Sequence, residues 1–407
     1  NTHYKNILTI LKINNMKRIL IFSLSYYPNN VSGAEAAIKE ITDRIDDIEF
    51  HMVTLRYNNQ LPKTEKIGNV LIHRIGLVTK NPSTKDLGKL PLDLNKPLYQ
   101  FLAPFKGIML NRKYKYDAIW SMMAHSAGVP AVIYKMLSPR AKFALTLQEG
   151  DLTDYIEKTM KPLGFLFTNA FIKADVVQVI SNHLGDWARR RGTKDENIEL
   201  IHNGANPRDL KPVTTEAELL TLKQKFNKQS NEIYLVNTAR LVHQKANNNT
   251  IQALTKLSDN IKLLLVGAGP EEQMLRDLTK KLNLENRVIF VGSVDRSKIS
   301  KYRQISDIFV CPSRSEGLGN AFLSAMASKL PVVATQEGGL KEFVSSDTAW
   351  VVDKDSPDQI VEAIKNILNN PDKTKIITKK AHQMVAEKYN WDLVAKNMRA
   401  KVFSKIL

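Results

Sequence analysis

Ser315-Glu316-Gly317-Leu318-Gly319-Asn320 follows a short apolar strand at 308–310 and opens a helical pattern at 321–328. Strand, glycine-rich loop and helix in that order form one βα unit of a parallel sheet. The glycines permit a tight turn and the close approach of a ligand. The amides at the helix start, with the helix dipole, favour an anion such as phosphate. Glu316, at the strand's carboxyl end, can accept hydrogen bonds from sugar hydroxyls.

The same rhythm extends in both directions. Strands are expected at 18–23, 49–54, 69–75, 118–121, 142–147, 176–180 and 198–201, with a helix at 34–44 between the first two. The rhythm pauses at Asn203-Gly204-Ala205-Asn206-Pro207 and Lys211-Pro212, the turn chemistry of a hinge. A second set follows, with strands at 233–239, 262–266, 287–291, 308–310, 331–334 and 349–352 and helices between them. The reading is α/β: two facing Rossmann-like domains, 16–206 and 207–391, with a ligand cleft between them beyond the carboxyl ends of the strands.

Three further loops of the second domain carry ligand chemistry. Arg240 and Lys245 follow strand 233–239, where two cations beside a helix start can neutralise a diphosphate. Taken singly, each also reads as a surface cation of a lysine-rich protein. In Val266-Gly267-Ala268-Gly269-Pro270-Glu271 a strand runs into a tight turn, and Pro270 suits the first turn of a helix. The third glycine of a dinucleotide fingerprint is missing, so this is not an NAD site. Gln336-Glu337-Gly338-Gly339-Leu340-Lys341-Glu342 follows strand 331–334.

The order of these motifs resembles the glycosyltransferases of family 4, or group 1, with the two-lobed GT-B fold. The resemblance is carried by Arg240-Leu241 with Lys245, by 264–270, by 288–294, by 307–313, by Glu316–Asn320, by Ala325-Met326-Ala327 and by 331–335 with Gly338-Gly339 and Glu342. The first domain matches more loosely, through Gly33-Ala34-Glu35, 174–177, Ile180-Ser181 and 201–205.

The resemblance implies roles. Arg240 and Lys245 would hold the donor's diphosphate. Glu316 with Gly317, Leu318, Gly319 and Asn320 would cradle the transferred sugar and phosphate. Gly267 and Gly269 would form the turn beside the donor, and Gly292 to Val294 the edge that meets the base. Gly33 would be the first-domain glycine facing the donor. It further implies transfer with retention of anomeric configuration, no cofactor and no metal, and a last helix at 392–407 that crosses back to the first domain.

Two positions depart from the family pattern. Where the family has a second glutamate, a partner for the ribose, this chain has Ser324. Where the family often has a histidine, the chain reads Thr146-Leu147-Gln148-Glu149-Gly150-Asp151. Glutamine is no general base, whereas Glu149, Asp151 or His125 can be one. A lone histidine at 125 also reads as structural.

The leading expectation is therefore a retaining glycosyltransferase using a nucleotide-sugar donor and a glycan or lipid-linked acceptor, in bacterial cell-surface polysaccharide or glycolipid synthesis. A GT-B-fold phosphorylase or epimerase is the alternative among enzymes. A catalytically silent relative that binds glycans is the alternative outside them.

Composition bounds the rest. The 407 residues carry a net charge of +18 and one cysteine, Cys311, so no disulfide framework within the chain is expected. Residues 51–150 hold 15 Lys/Arg against 5 Asp/Glu, a surplus of +10, which suggests an anionic partner. The bland reading is lysine loading by base composition. Phe101, Phe105 and Ile108 share one helical face beside Lys106, Arg112, Lys113 and Lys115. That pattern reads as an interfacial helix on an anionic membrane surface, or as a core helix with a solvated basic edge. No aromatic platform or recognition helix points to nucleic acid. No run reaches the ~20 apolar residues of a membrane span, and the expected location is cytoplasmic, peripheral on the membrane. Met16 reads as the natural start, with 1–15 as upstream sequence or a short ordered extension.

Overall fold

The computed structural model describes residues 16–28 and 32–407, so the expectations for 1–15 lie outside the described residues. The chain divides into two units. One comprises the described residues up to Ile201 together with Asp392–Leu407, and the other is His202–Trp391.

The first unit is built on an eight-stranded sheet. Its strands are β1 (Lys17–Phe22), β2 (Ile48–Leu55), β3 (Thr64–Ile67), β4 (Val70–Ile75), β5 (Ala118–Met122), β6 (Lys142–Leu147), β7 (Val176–Val179) and β8 (Ile198–Leu200). Their order is β3-β4-β2-β1-β5-β6-β7-β8, and only β3 runs antiparallel to its neighbour. Its α-helices are α1 (Gly33–Thr42), α2 (Asn95–Tyr114), α3 (Val129–Leu137), α4 (Thr153–Met160), α5 (Gly164–Ile172) and α6 (Asn182–Arg190). Strands such as Leu20-Ile21-Phe22 are buried throughout, because helices cover both faces of a parallel sheet. Strand β3 is not among the expected elements. Thr64-Glu65-Lys66-Ile67 is a polar edge strand with only half-buried contact, joined to β4 by Gly68-Asn69 with Gly68 at φ +56°.

The second unit holds β9 (Ile233–Asn237), β10 (Ile261–Val266), β11 (Val288–Gly292), β12 (Ile308–Cys311), β13 (Val332–Ala334) and β14 (Trp350–Val351). Its helices are α7 (Pro207–Leu210), α8 (Glu216–Lys225), α9 (Asn247–Leu254), α10 (Glu272–Lys281), α11 (Arg296–Gln304), α12 (Asn320–Ala327), α13 (Pro357–Asn369) and α14 (Pro371–Lys388). The sheet is all parallel in the order β11-β10-β9-β12-β13-β14. The strand order therefore reverses between β9 and β12, the place where doubly wound sheets open a crevice for ligands.

The division falls at 201/202, five residues before the expected 206/207. Residues 203–206 are tied into the second unit: Ala205 N–H donates to the Tyr389 carbonyl (2.8 Å) and Asn206 N–H to Ser324 Oγ (3.1 Å). The Asp209 carboxylate then binds Arg303, with 3.0 Å to Nε, and accepts from Ser328 Oγ (2.7 Å).

The last segment is less regular than a single helix over 392–407. It runs as α15 (Trp391–Asn397), a π turn at Met398–Val402 and a 3-10 turn at Phe403–Lys405. Phe403 packs against Phe50 and Trp120 of the first sheet, with ring centroids 5.7 and 5.1 Å away. Aromatic burial of that kind stabilises the irregular segment against the sheet.

Candidate functional site

In the second unit, five loops after consecutive strands converge through their backbones. Leu241 N–H donates to the Ala268 carbonyl (3.0 Å), and Glu271 N–H to that of Leu241 (3.1 Å). Gly267 N–H donates to the Gly292 carbonyl (2.9 Å), Arg314 N–H to Gln244 (2.7 Å) and Gly339 N–H to Glu316 (2.8 Å). The loops after β9, β10, β11, β12 and β13 thus form one bonded rim at the carboxyl edge of the sheet.

Two glycines are demanded by this closeness. A Cβ on Gly267 (φ +152°) would overlap the Ala239 carbonyl oxygen. A Cβ on Gly338 (φ +60°) would overlap that of Glu316. Gly269 packs equally close to the Leu241 carbonyl. Gly292 lies on the outer strand, where one extra residue of β11 shifts its register against β10 between Leu265 and Val266. Such a bulge bends the strand where it runs into Gly292–Val294, of which Ser293 is exposed.

The charged centre spans the reversal point. Lys245 closes the loop after β9 on a 3-10 turn (His243–Lys245), and Glu316 follows β12. Lys245 Nζ lies 2.5 Å from Glu316 Oε1, with their side chains only 17% and 6% exposed. Ser313 Oγ also donates to Glu316 Oε1 (2.8 Å), and Thr335 Oγ1 donates to the Ser313 carbonyl (2.6 Å). Ser313 is absent from the expected site residues, although its place three residues before Glu316 on one tight loop is the signal that could have named it. Cys311, at the end of β12, lies fully buried beneath this pair. Burial pushes its thiol up to about 11, against the pull of Lys245.

Gly317, Leu318 and Gly319 are buried behind Glu316, and Asn320 begins α12. The Asn320 Oδ1 atom is buried without a hydrogen-bond partner. Arg240 is exposed on the same loop as Lys245, five residues earlier.

Ser324 stands where the family pattern has its second glutamate. It is buried within α12, and its Oγ accepts from Asn206 N–H at 3.1 Å. The hydroxyl is therefore engaged with the segment that enters this unit.

The first unit carries a second cluster, after β5 and β6. Glu149 has a fully buried side chain. It accepts from Ala124 N–H (2.6 Å) and from Gln148 N–H (2.9 Å), which makes it a clamp on the backbone. His125 is the accessible member. It stands in a π turn (Ala124–Gly128) that Met123 enters at φ +66°, a combination found at functional sites. Its side chain is 30% exposed, its Nε2 lies 2.9 Å from Ser126 Oγ, and its Nδ1 lies 3.5 Å from Glu149 Oε1. Asp151, half-buried, precedes α4. Gly33 is the half-exposed first residue of α1. There Glu35 Oε2 accepts from Ser32 N–H (2.7 Å) and Glu35 Oε1 from Ser25 Oγ (2.6 Å).

Among the described residues no group of three or more His, Cys, Asp or Glu is placed to hold a metal ion. Nor is any helix among them long and apolar enough to cross a membrane.

Comparison with known proteins agrees with this geometry. Residues 220–386, within the second unit, match the family described as Glycosyl transferases group 1. An uncharacterized glycosyltransferase of Methanocaldococcus jannaschii is 25% identical over 387 residues, covering 93% of this chain and 96% of that protein. The GDP-mannose-dependent alpha-(1-6)-phosphatidylinositol monomannoside mannosyltransferase of Mycobacterium tuberculosis is 26% identical over 397 residues, again 93% and 96%. Among solved structures, Anabaena HepE in complex with UDP and glucose superposes with a TM-score of 0.75 at 19% identity, covering 96% of this chain and 100% of that one. The two parallel-sheet units thus share the GT-B fold of solved glycosyltransferases, and the second unit carries the match to the group 1 glycosyltransferases.

Proposed function

We propose that the protein transfers a sugar from a nucleoside-diphosphate sugar to a glycan or lipid-linked acceptor, with retention of configuration and without a metal ion. In this reading it serves cell-surface polysaccharide or glycolipid synthesis from the cytoplasmic face of a membrane. The observation that carries it is the buried Lys245–Glu316 pair at the strand-order reversal of the second unit. The Lys245 ammonium, with Arg240 from the same loop, would meet the diphosphate and stabilise the charge that develops as it leaves. Glu316, steadied by Ser313, would accept hydrogen bonds from the sugar hydroxyls. The acceptor hydroxyl attacks the anomeric carbon on the face from which the diphosphate departs, and its proton leaves with that diphosphate. His125 would contact the acceptor while Glu149 fixes the backbone of its loop.

A nucleotide donor is supported by two of the similar proteins, one named for GDP-mannose and one solved with UDP and glucose. The test is a panel of nucleoside diphosphates by thermal shift, followed by donor turnover with UDP- and GDP-sugars. One diphosphate should raise the melting temperature, and its sugar conjugate should be slowly hydrolysed by the wild type but not by Arg240→Ala. A silent glycan-binding relative is the second reading, favoured by the occupied hydroxyl of Ser324. It predicts no turnover of any donor.

A further inference from the structure

We propose that the outer surface of the helix layer α2, α3 and α5 docks on an anionic lipid bilayer. This rests on the membrane reading above and assigns it to particular elements. Helix α2 packs along α3, and α3 along α5. Their sequences, Asn95–Tyr114, Val129–Leu137 and Gly164–Ile172, contain no aspartate or glutamate. Helix α2 alone carries Lys96, Lys106, Arg112 and Lys113.

The helix has two apolar stripes where a soluble helix has one. Tyr99, Ala103, Gly107 and Leu110 face the sheet and are buried. Gly107 lets the helix lie close, since a Cβ there would stand 3.0 Å from Leu20, Phe22 and Tyr134. The opposite stripe, Leu98, Phe101, Leu102, Phe105 and Met109, is exposed, with Phe105 at 56% and Met109 at 63%. Spacings of three and four residues put these side chains on one face. The exposure continues on the neighbouring helices at Met136 and at Phe165, which is 75% exposed. Single exposed apolar residues are ordinary, but a run of them along one helix and onto its neighbours marks an interaction surface.

The charge selects the occupant. A second copy of the chain would set α2 cations against α2 cations. Anionic headgroups complement them, while the apolar stripe enters the boundary between headgroups and acyl chains and the lysine stems extend along it. Lys135 is already paired with Asp175 (2.7 Å), so the cations of α2 are the ones left for headgroups.

The experiment compares sedimentation with vesicles of phosphatidylglycerol and phosphatidylcholine against vesicles of phosphatidylcholine alone, at low and high salt. The variants are Phe101→Ser/Phe105→Ser/Met109→Ser and Lys106→Gln/Arg112→Gln/Lys113→Gln. Melting temperature and nucleoside-diphosphate binding serve as controls for folding. Wild type should bind the anionic vesicles and be released by salt. Each triple variant should lose about tenfold or more of that binding with both controls unchanged. Wild-type binding that both variants retain overturns the placement on this helix layer while the membrane reading stands. Failure of the wild type to bind anionic vesicles at low salt overturns both. A wild-type dimer that the serine variant dissociates makes the face a self-association surface, and also overturns the proposal.

Discussion

Lys245 Nζ and Glu316 Oε1 lie 2.5 Å apart, both largely buried, at the reversal point of the second sheet, 71 residues apart in sequence. The pair is a stability feature as well as a candidate donor site, and the two roles separate by mutation. Lys245→Ala leaves a buried carboxylate with Ser313 as a neutral donor. Removing one partner of such a pair costs about 3–5 kcal/mol. Lys245→Met/Glu316→Gln removes both charges and is expected to recover most of that loss. Neither variant should transfer sugar. The measurements are urea unfolding and donor turnover for the wild type, Lys245→Ala and the double variant. A double variant no more stable than Lys245→Ala would show that the two charges are not coupled.

Ser324 tests how far family likeness carries to a single position. Its Oγ accepts from Asn206 N–H inside the second unit. Ser324→Ala would orphan that buried amide at a cost of about 1–2 kcal/mol. Nucleoside-diphosphate affinity should change less than about twofold, because the side chain's work is structural. Ser324→Glu should destabilise further, since a carboxylate would have to be buried where a hydroxyl fits. A tenfold loss of nucleotide affinity in Ser324→Ala would instead make the hydroxyl a ligand contact.

His125 and Glu149 should separate in the same manner. His125→Ala removes a partly exposed ring whose nearest polar neighbours are Ser126 and Glu149, so folding should survive while transfer falls by about 10²-fold or more. Glu149→Gln replaces an acceptor of two backbone amides by a group that must turn a donor toward one of them, and should cost stability by about 1–3 kcal/mol. Transfer should drop with it, and nucleotide affinity should not. Full transfer activity in His125→Ala would remove that residue from the site.

Much of this was legible in the sequence because parallel strands buried on both faces read as unbroken apolar runs, such as Leu263-Leu264-Leu265-Val266. Glycines at the ends of those runs marked the loops that the backbone bonds draw together. What stayed hidden depends on contacts between distant residues. Nothing in the local pattern says that the Ser324 hydroxyl meets an amide 118 residues earlier. Nothing says that Glu149 reaches back to Ala124. Helix α2 was half legible. The spacing of Phe101 and Phe105 announced an amphipathic face, but Tyr99, Ala103, Gly107 and Leu110 form the rival stripe that won the sheet. Ile108, expected beside the two phenylalanines, is half-buried between the stripes.

His73 gives the fold an acid-side weakness. It lies on β4 with its ring 5.5 Å from His51 and 5.8 Å from Tyr114, and its Nε2 is buried without a hydrogen-bond partner. Burial, then the neighbouring His51, Lys106 and Lys113, push its pKa from 6.5 down to about 4. His51 is shifted the same way by burial, although Glu49 at 2.8 Å opposes the shift. A histidine with a lowered folded pKa binds fewer protons in the folded chain than in the unfolded one. Stability should then be intact above pH 6.5 and fall as the pH drops toward 4, by up to about 3 kcal/mol from His73 alone. His73→Leu keeps the apolar contacts and removes the titrating ring, so its unfolding free energy should fall less steeply than that of the wild type over this window. Near neutral pH its stability should match or exceed that of the wild type, because the buried unpartnered nitrogen is gone. Denaturant unfolding at half-unit steps from pH 7.5 to about 4 reads both slopes, within the range set by the two pKa values. Parallel slopes for the two proteins would assign the acid sensitivity to other groups.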